Sequence, residues 1–310
     1  MTTTLDTDRV SSQDVIARII ATHAPRAGDY PTPISSLSLF RRESAAPPAV
    51  CMVEPSIVLV AQGAKQLWVG SEAYRYDTSH FLITSLDLPA NSEVLEASRE
   101  QPCLGLTLKL DLRMLAELIA RTSLPPPHDR KFGMGVGVGA ATPAIWSLFM
   151  RLLELLDDPE ALPVLAPLIE REIHYRLLKS DQAARLRQIA AVDGQAHRIS
   201  KAIDWLKLKY ALPLRLDELA ARVRMSTPTF HHHFRQLTGM SPLQYQKWLR
   251  LNEAKRLMLN EHFDAASAAF KVGYESPSHF NREYSRLFGA PPKRDIAVLR
   301  GQANGVGVDK

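Results

Sequence analysis

The pattern of hydrophobic and polar residues predicts strands in the first part of the chain and helices beyond them. After a short helical lead-in near Asp14–His23, segments rich in β-branched and aromatic residues alternate with turn residues about every ten positions. These segments are Ser56–Ala61, Lys65–Val69, Tyr74–Tyr76, His80–Thr84, Ser92–Ala97 and Cys103–Leu110. Short strands at this spacing are typical of a small antiparallel barrel or a sandwich.

Beyond these strands, apolar residues recur at helical spacing and predict Asp111–Ala120, Pro143–Leu156 and Pro163–Ser180 as helices. Leu124–Ala140 is rich in Pro and Gly, so we expect a loop there, with the glycine-rich part Gly133–Gly139 as a flexible linker. The third helix has one broad apolar face, which packs either on the strands or on a second subunit. That face consists of Val164, Leu165, Leu168, Ile169, Ile173, Leu177 and Leu178.

The last third of the chain contains an internal repeat. Ser226–Pro242 aligns with Ser276–Pro292 at an offset of 50, and the residues before each copy align at an offset of 49. The repeated unit is a short helix, a tight connection and a second helix that begins at a serine and ends at a glycine. This combination predicts two helix-turn-helix units, at about 216–237 and 264–287.

Each second helix carries an apolar stripe at positions i, i+4 and i+7, which predicts a buried face. The stripes are Phe230, Phe234 and Leu237 in the first unit, and Phe280, Tyr284 and Leu287 in the second. Burying them turns polar residues outward, where arginine suits guanine and asparagine suits adenine in a major groove. The outward residues are Pro228, His231, His232 and Arg235, and then Ser278, Asn281, Arg282 and Ser285. The alternative interpretation is a polar face that only contacts solvent. The same polar face occurs in two copies, which favours recognition of DNA bases.

The segment between the two units, Ser241–Leu259, is predicted to be one continuous helix with a Ser-Pro start. Eighteen residues at about 1.5 Å each span roughly 27 Å. With the widths of the flanking units, two reading helices can reach major grooves about 34 Å apart on one face of a duplex.

Charge is divided unevenly between the two parts of the chain. Residues 1–194 hold 19 Lys and Arg against 23 Asp and Glu, a balance of −4, whereas residues 195–310 hold 19 against 10, a balance of +9. A basic domain joined to a mildly acidic one indicates a polyanion as the partner of the basic part. The two cysteines, Cys51 and Cys103, are too few for a disulfide framework, and no apolar run is long enough to span a membrane. We therefore expect a cytoplasmic protein.

These stretches carry a resemblance to a known family. His197–Val298, with "LDELAARVRMSTPTFHHHFRQLTG" and "AAFKVGYESPSHFNREYSRLFGAPPKR", resembles the DNA-binding domain of the AraC/XylS family of bacterial regulators. The earlier part, with "EPSIVLVAQGAKQLWVG" and "LPVLAPLIEREIHYRLL", looks like the N-terminal domain of one branch of that family.

The resemblance implies an α+β protein with a cupin-like N-terminal antiparallel β-barrel and a C-terminal all-α domain of seven helices. The barrel would bind a small molecule or mediate dimerisation. By alignment, the family's base-reading positions fall on Pro228, His231, His232, Ser278, Asn281 and Arg282, and family members often have arginine where His232 stands.

Four segments follow from this interpretation: a lead-in at 1–25, a regulatory and dimerisation domain at 26–194, a DNA-binding domain at 195–300 and a disordered tail at 301–310. The boundary lies near Asp193-Gly194. The expected partners are double-stranded DNA, RNA polymerase, a small-molecule effector and a second copy of the chain. The effector pocket is predicted at Trp68, Tyr74, Tyr76 and His80, although ordinary barrel core is an alternative for these residues.

No catalytic residue, metal site or cofactor is expected. Consecutive helical residues point about 100° apart, so His231, His232 and His233 cannot converge on one ion. The predicted function is that of a sequence-specific, effector-modulated transcriptional regulator. A cupin-type metal enzyme and a DNA binder without sequence preference remain as alternatives.

Overall fold

The computed structural model describes residues 11–122, 133–191 and 194–305. Contacts between residues divide the chain into two units. The first extends to His197, and the second comprises Arg198–Gln236 and the residues from Met240 onwards.

The first unit is built on a curled antiparallel sheet that forms a half-barrel. Its strands run in the order β1-β2-β9-β4-β7-β6-β5-β8-β3, and β10 pairs with β7. Their bounds are β1 Gly28–Pro31, β2 Leu37–Arg42, β3 Ala46–Val53, β4 Ser56–Gln62, β5 Ala64–Val69, β6 Glu72–Asp77, β7 His80–Thr84, β8 Leu88–Glu96, β9 Cys103–Lys109 and β10 Val136–Ala140. The strands predicted from the sequence are confirmed, with small changes at their ends.

Helices cover one face of this sheet. They are α1 Ser12–His23, α2 Leu112–Arg121, α3 Pro143–Glu154, α4 Leu162–Leu177 and α5 Ala183–Ala190, with a 3₁₀ turn at Leu155–Asp157. Alternate residues of the strands, among them Leu39, Leu59 and Leu106, form a single core with buried helical residues such as Ile20 and Phe149. Burial of this apolar surface is the main driving force for the fold of this unit.

The other alternate residues of the strands form what we call the inner face, which includes Phe40, Lys65, Tyr76 and Ser92. Cross-strand pairing fixes this assignment, because residues directly opposite each other point to the same side. Lys65 pairs with Tyr76 on β6, and Phe40 pairs with Gly105 on β9.

Strands β1, β2, β3 and β10 were not predicted. Strand β3 contains Pro47 and Pro48, which usually indicate a turn, and it is tolerated because it lies at an edge of the sheet. Val136–Ala140 forms β10, so the interpretation of this part as a flexible linker is wrong. Residues 124–132 of the predicted loop lie outside the described residues.

The apolar face predicted on α4 is divided in the structure. Ile169, Ile173 and Leu177 are buried in the core, whereas Val164 and Leu168 at the start of the helix are 64% and 61% exposed. Ala166, near the start of the helix, is also buried in the core, so the exposed residues lie on one side of α4 and the buried residues on another.

The second unit is helical and follows the seven-helix expectation through residues 194–305, all of which are described. The helices are α6 Gln195–Lys209, α7 Leu216–Arg222, α8 Thr227–Thr238, α9 Pro242–Asn260, α10 Ala265–Lys271, α11 Pro277–Phe288 and α12 Pro292–Gly305. Because α12 continues to Gly305, the prediction of a disordered tail is wrong for residues 301–305, and residues 306–310 lie outside the described part. Asp193, at the predicted boundary, also lies outside it, and Gly194 directly precedes α6.

Among the described residues, no helix is long and apolar enough to cross a membrane. In the same ranges, no three His, Cys, Asp or Glu side chains are grouped so that they could hold a metal ion.

Candidate nucleic-acid interface

The predicted aromatic stripes hold both second helices of the repeat. In α8, Phe230 and Phe234 are fully buried, and the ring centroid of Phe234 lies 5.5 Å from that of Tyr245 on α9. In α11, Phe280 and Tyr284 are fully buried with centroids 5.5 Å apart. Since this packing fixes the rotation of each helix about its axis, it also fixes which residues lie on the opposite face.

The turns of the two units share one backbone geometry. In the first unit, Arg224 adopts a φ of 55°, and the Met225 N–H donates to the Ala220 carbonyl at 3.0 Å. In the second unit, Gly273 stands 49 positions later with a φ of 91°, and the equivalent hydrogen bond measures 2.9 Å. The repeat therefore extends to the turn, although a non-glycine residue takes the left-handed conformation in one copy.

The ends of the two helices match their predicted caps. The hydroxyl oxygens of Ser226 and Ser276 each accept a backbone N–H from the third residue that follows, at 3.4 Å. Gly239 and Gly289 end the helices with φ values of 74° and 77°. These caps fix where each second helix starts, and therefore which residues lie in its first turns.

The predicted outward residues do face outward. Those that are exposed are Pro228, His232, Arg235, Ser278, Asn281 and Arg282, and His231 is half-buried. The orientation is confirmed, whereas contact with DNA bases stays a prediction. Ser285 is half-buried, and its hydroxyl donates to the Asn281 carbonyl at 2.8 Å, so it is less available than its three companions on α11.

The four predicted residues share an open stretch of the α8 surface with Thr227 and Gln236. Sequence reasoning missed these two. Thr227 is the first residue of the helix, and Gln236 follows Arg235 at the edge of the outward face.

Hydrogen bonds from α9 reach both the turn of the second helix-turn-helix unit and the residues that follow α6. The Arg250 guanidinium donates to the carbonyls of Tyr210 at 2.7 Å, Gly273 at 2.9 Å and Leu212 at 2.9 Å. The Gln246 amide donates to two of these carbonyls, those of Tyr210 and Leu212. Carbonyls of half-buried and exposed residues thereby accept hydrogen bonds from one helix, which places the second helix-turn-helix unit relative to α9.

An ion pair also joins α9 to α11. Lys247 Nζ lies 2.5 Å from Glu283 Oε2, and the Glu283 side chain is only 11% exposed. The hydrogen bond from Lys247, followed by its charge, lowers the pKa of Glu283 despite the opposing effect of burial. Glu283 therefore stays ionised beside Lys247, and its other oxygen lies 3.6 Å from the Arg286 guanidinium. The outward face of α11 keeps the positive charge of Arg282.

The residues predicted to line an effector pocket do not form one site. Tyr76 is buried and Tyr74 half-buried on the face of β6 that Lys65 and Leu67 share, because these are their cross-strand partners. Trp68 pairs with Ala73 and lies on the opposite face, where its indole donates to Glu93 at 2.9 Å. His80 lies at the hairpin between β6 and β7, with 53% of its side chain exposed and Nδ1 3.2 Å from Asp77. The alternation of strand residues separates side chains that are close in sequence.

Comparison with known proteins gives two family matches. The model of the AraC-type transcriptional regulator N-terminus matches residues 33–185, and a helix-turn-helix domain model matches residues 219–295. Together the two models match about three quarters of the chain.

Curated relatives match over shorter stretches. The putative HTH-type transcriptional regulator YneL of Escherichia coli K12 is 73% identical over 37 residues, which is 12% of this chain and 63% of that protein. The HTH-type transcriptional activator RhaS of Escherichia fergusonii is 27% identical over 146 residues, 46% of this chain and 51% of that protein. The matches thus span about half to two thirds of the length of these relatives.

Among solved structures, ToxT of Vibrio cholerae with a bound unsaturated fatty acid is similar in fold. It superimposes with a TM-score of 0.55 at 11% sequence identity, covering 84% of this chain and 94% of ToxT. At this identity the similarity supports the fold, including both the sheet-based unit and the helical unit.

Proposed function

Because the chain belongs to the AraC family of transcriptional regulators, we propose that it binds specific DNA sequences through both helix-turn-helix units. The observation that carries this proposal is the duplicated outward face. In each helix-turn-helix unit, a buried aromatic stripe fixes the second helix so that polar and basic side chains lie on its opposite face. Both units belong to residues 195–310, whose charge balance is +9. A polyanion is the partner that such a segment attracts, and base edges are what such side chains recognise.

The second unit has the better set of donors and acceptors. Arg282 can fork onto the two acceptors of guanine, and Asn281 can pair with adenine. In the first unit His231 and His232 occupy the equivalent positions. Helix α9 has 19 residues, so it spans about 28 Å and separates the two units by a distance suited to successive major grooves.

The test uses the full chain. Duplexes that it retains from a random pool are sequenced, and the selected duplex then competes with random DNA at a fixed salt concentration. We expect a shared motif, a preference of at least about 10³ for it, and an affinity that falls steeply with salt as phosphate contacts release counterions. Equal competition by random DNA would favour a binder without sequence preference.

For the N-terminal, sheet-based part of the chain we propose a regulatory role in which a small-molecule effector binds the half-barrel. The match to the AraC-type N-terminal model supports this, as does the fatty acid bound by ToxT, a protein of the same fold. The regulator would act in the cytoplasm and communicate with RNA polymerase. Binding of effector and of DNA would then be coupled reciprocally, each changing the affinity for the other by the same factor.

We also propose that the exposed start of α4 contributes to a homodimer. Val164, Leu165 and Leu168 are 64%, 42% and 61% exposed, which is unusual for neighbouring large apolar residues on one helix. Sedimentation of the full chain checks this proposal, with Leu168→Glu as the variant. We expect a dimer that Leu168→Glu weakens, whereas a monomer at high concentration would remove the mechanism.

A further inference from the structure

The inner face of the half-barrel contains a lysine whose surroundings are unusual. Lys65 lies on β5 and is 8% exposed, although lysine is almost never buried without a partner. Its ammonium nitrogen lies 4.3 Å from the centroid of the Phe40 ring. Among the described residues, no carboxylate lies within ion-pair distance of it.

A second cation shares the same ring. The guanidinium carbon of Arg42 lies 5.6 Å from the Phe40 centroid. Arg42 is itself paired with Asp29 at 2.6 Å, so the one carboxylate nearby is already engaged. The Asp29 side chain is 74% exposed. The positive charges of Lys65 and Arg42 therefore both lie near the Phe40 ring, and the one negative charge nearby is that of the exposed Asp29.

The other ionisable groups around Lys65 do not supply the missing charge. Burial raises the pKa of Cys51, and it raises the pKa of Cys103 to about 11. Burial likewise raises the pKa of Tyr76. At neutral pH the two thiols and the phenol are therefore uncharged. The pKa of Lys65 itself is lowered, mainly by burial and next by the charge of Arg42. Both effects disfavour the charged form of the lysine.

Part of the inner face is accessible to solvent. Ser38, Cys51, Val58, Ser92 and Thr107 on this face are half-buried, whereas Tyr76 and Leu67, directly beside Lys65, are buried. Near Lys65 the residues of β3 and β8 are small, and the exposed Ala49 pairs with Ser92. Leu67 and Val94 flank the lysine with apolar surface.

We propose that the inner face around Lys65, Arg42 and Phe40 binds a small organic acid, whose carboxylate pairs with Lys65 and whose apolar body lies on the inner face. An anion is what this cluster lacks, because a buried charge is stable only when it is paired. The polar side chains nearby are those of Tyr76 and Ser92, which hydrogen-bond to each other. This assignment rests on the proposed effector role and names the chemical class of the effector.

The first measurement needs no ligand. Lys65→Met keeps the length of the side chain and removes the charge, and Lys109→Met is the matched control, since Lys109 is an exposed lysine on β9 of the same sheet. Removing an unpaired buried cation should raise the melting temperature of the full chain, whereas Lys109→Met should leave it nearly unchanged. A lower melting temperature for Lys65→Met would show that Lys65 holds the fold together, which contradicts the proposal.

The second measurement uses benzoate and octanoate as probes, with benzyl alcohol and 1-octanol as uncharged counterparts. We expect the acids to raise the melting temperature of the wild type and of Lys109→Met, and to bind Lys65→Met at least about tenfold more weakly by calorimetry. The alcohols should not distinguish the variants. If neither acid stabilises the wild type, if the alcohols bind as tightly, or if Lys65→Met binds the acids equally well, the assignment is overturned.

DNA binding is measured on the same samples, which separates this inference from the proposed function. Acids that bind through Lys65 without changing the affinity for the selected duplex would uphold the site and contradict its regulatory role. Failure to select any DNA motif would contradict the proposed function and leave the acid site supported by its own readout.

Discussion

At the scale of single residues, the two turns of the repeat place different residues in the same left-handed backbone conformation. Arg224 and Gly273 are equivalent, and both adopt positive φ, yet only Gly273 lacks room for a side chain. A Cβ at Gly273 would overlap the Ala211 carbonyl, which Arg250 on α9 also approaches. The glycine is therefore required by close packing as well as by conformation.

This difference predicts opposite effects of two substitutions. Arg224→Gly relieves a left-handed conformation that costs about 1–2 kcal/mol and adds chain entropy worth about 0.5–1 kcal/mol, so we expect a gain in stability of roughly 0.5–1 kcal/mol. Gly273→Ala should cost about 2–4 kcal/mol through strain and overlap. Urea denaturation of the full chain measures both, and a tolerated Gly273→Ala would contradict the geometry.

Arg282 is the residue on which base recognition depends most directly. If it forks onto guanine, Arg282→Ala should cost about 1–3 kcal/mol of binding energy and relax the preference at one base pair. Arg286→Ala, one turn further along α11 with 82% of its side chain exposed, removes the same charge as a control. Its loss should weaken all sequences alike. A uniform loss in Arg282→Ala as well would make Arg282 a phosphate contact.

Sequence reasoning succeeded and failed at this scale for identifiable reasons. The outward residues of α8 and α11 followed from the stripe, because a helix with one fixed face has a fixed opposite face. Lys65 escaped notice because a charged residue in a strand is expected to face solvent. Trp68 and His80 were grouped with Tyr74 and Tyr76 by chemistry alone, whereas the register of β5 and β6 divides them.

At the scale of elements, helix α9 positions the second reading helix through Lys247 and Glu283. The pKa of Glu283 is lowered in the folded chain, so its contribution to stability is present above its unfolded pKa and is lost as pH falls through the folded value. We expect Glu283→Gln to destabilise the chain by about 1–3 kcal/mol at pH 7. The difference from wild type should begin to shrink below the ordinary pKa of glutamate, about 4.3, and should disappear only below the lowered folded value, where both side chains are neutral.

Denaturation at pH 7 and at acid pH tests this expectation. Glu261→Gln is a suitable control, because Glu261 pairs with Arg256 at the surface with 47% of its side chain exposed. A Glu283→Gln effect that is equal at both pH values would indicate a packing role for the side chain instead of an ionic one.

The elements that the sequence did not predict are those that tertiary packing creates. Strand β10 contains Gly137 and Gly139, which favour a loop by local preference. In the structure Gln182 and Arg185 lie against Gly137 and Phe81 lies against Gly139, so a Cβ at either position would overlap them. The strand depends on contacts from distant residues, and no local pattern contains them. The strands from Ser56 to Lys109 are short segments rich in β-branched and aromatic residues and separated by turn residues, and they were predicted for that reason.

At the scale of the whole molecule, the chain joins a mildly acidic sheet-based unit to a basic helical one. The internal repeat and the charge difference predicted this organisation, because both are properties of the sequence that packing does not alter. The division of the apolar residues of α4 between a buried side and an exposed side could not be predicted, since these residues look alike until their neighbours are known.

The central claim is that one chain reads two sites held at a fixed separation by α9. The most direct measurement is the affinity of the full chain for its selected duplex before and after insertion of five base pairs between the two half-sites. An insertion of this length turns one half-site to the opposite face of the DNA. We expect the affinity to fall to that for a duplex with one half-site scrambled. Unchanged affinity after the insertion would contradict the claim.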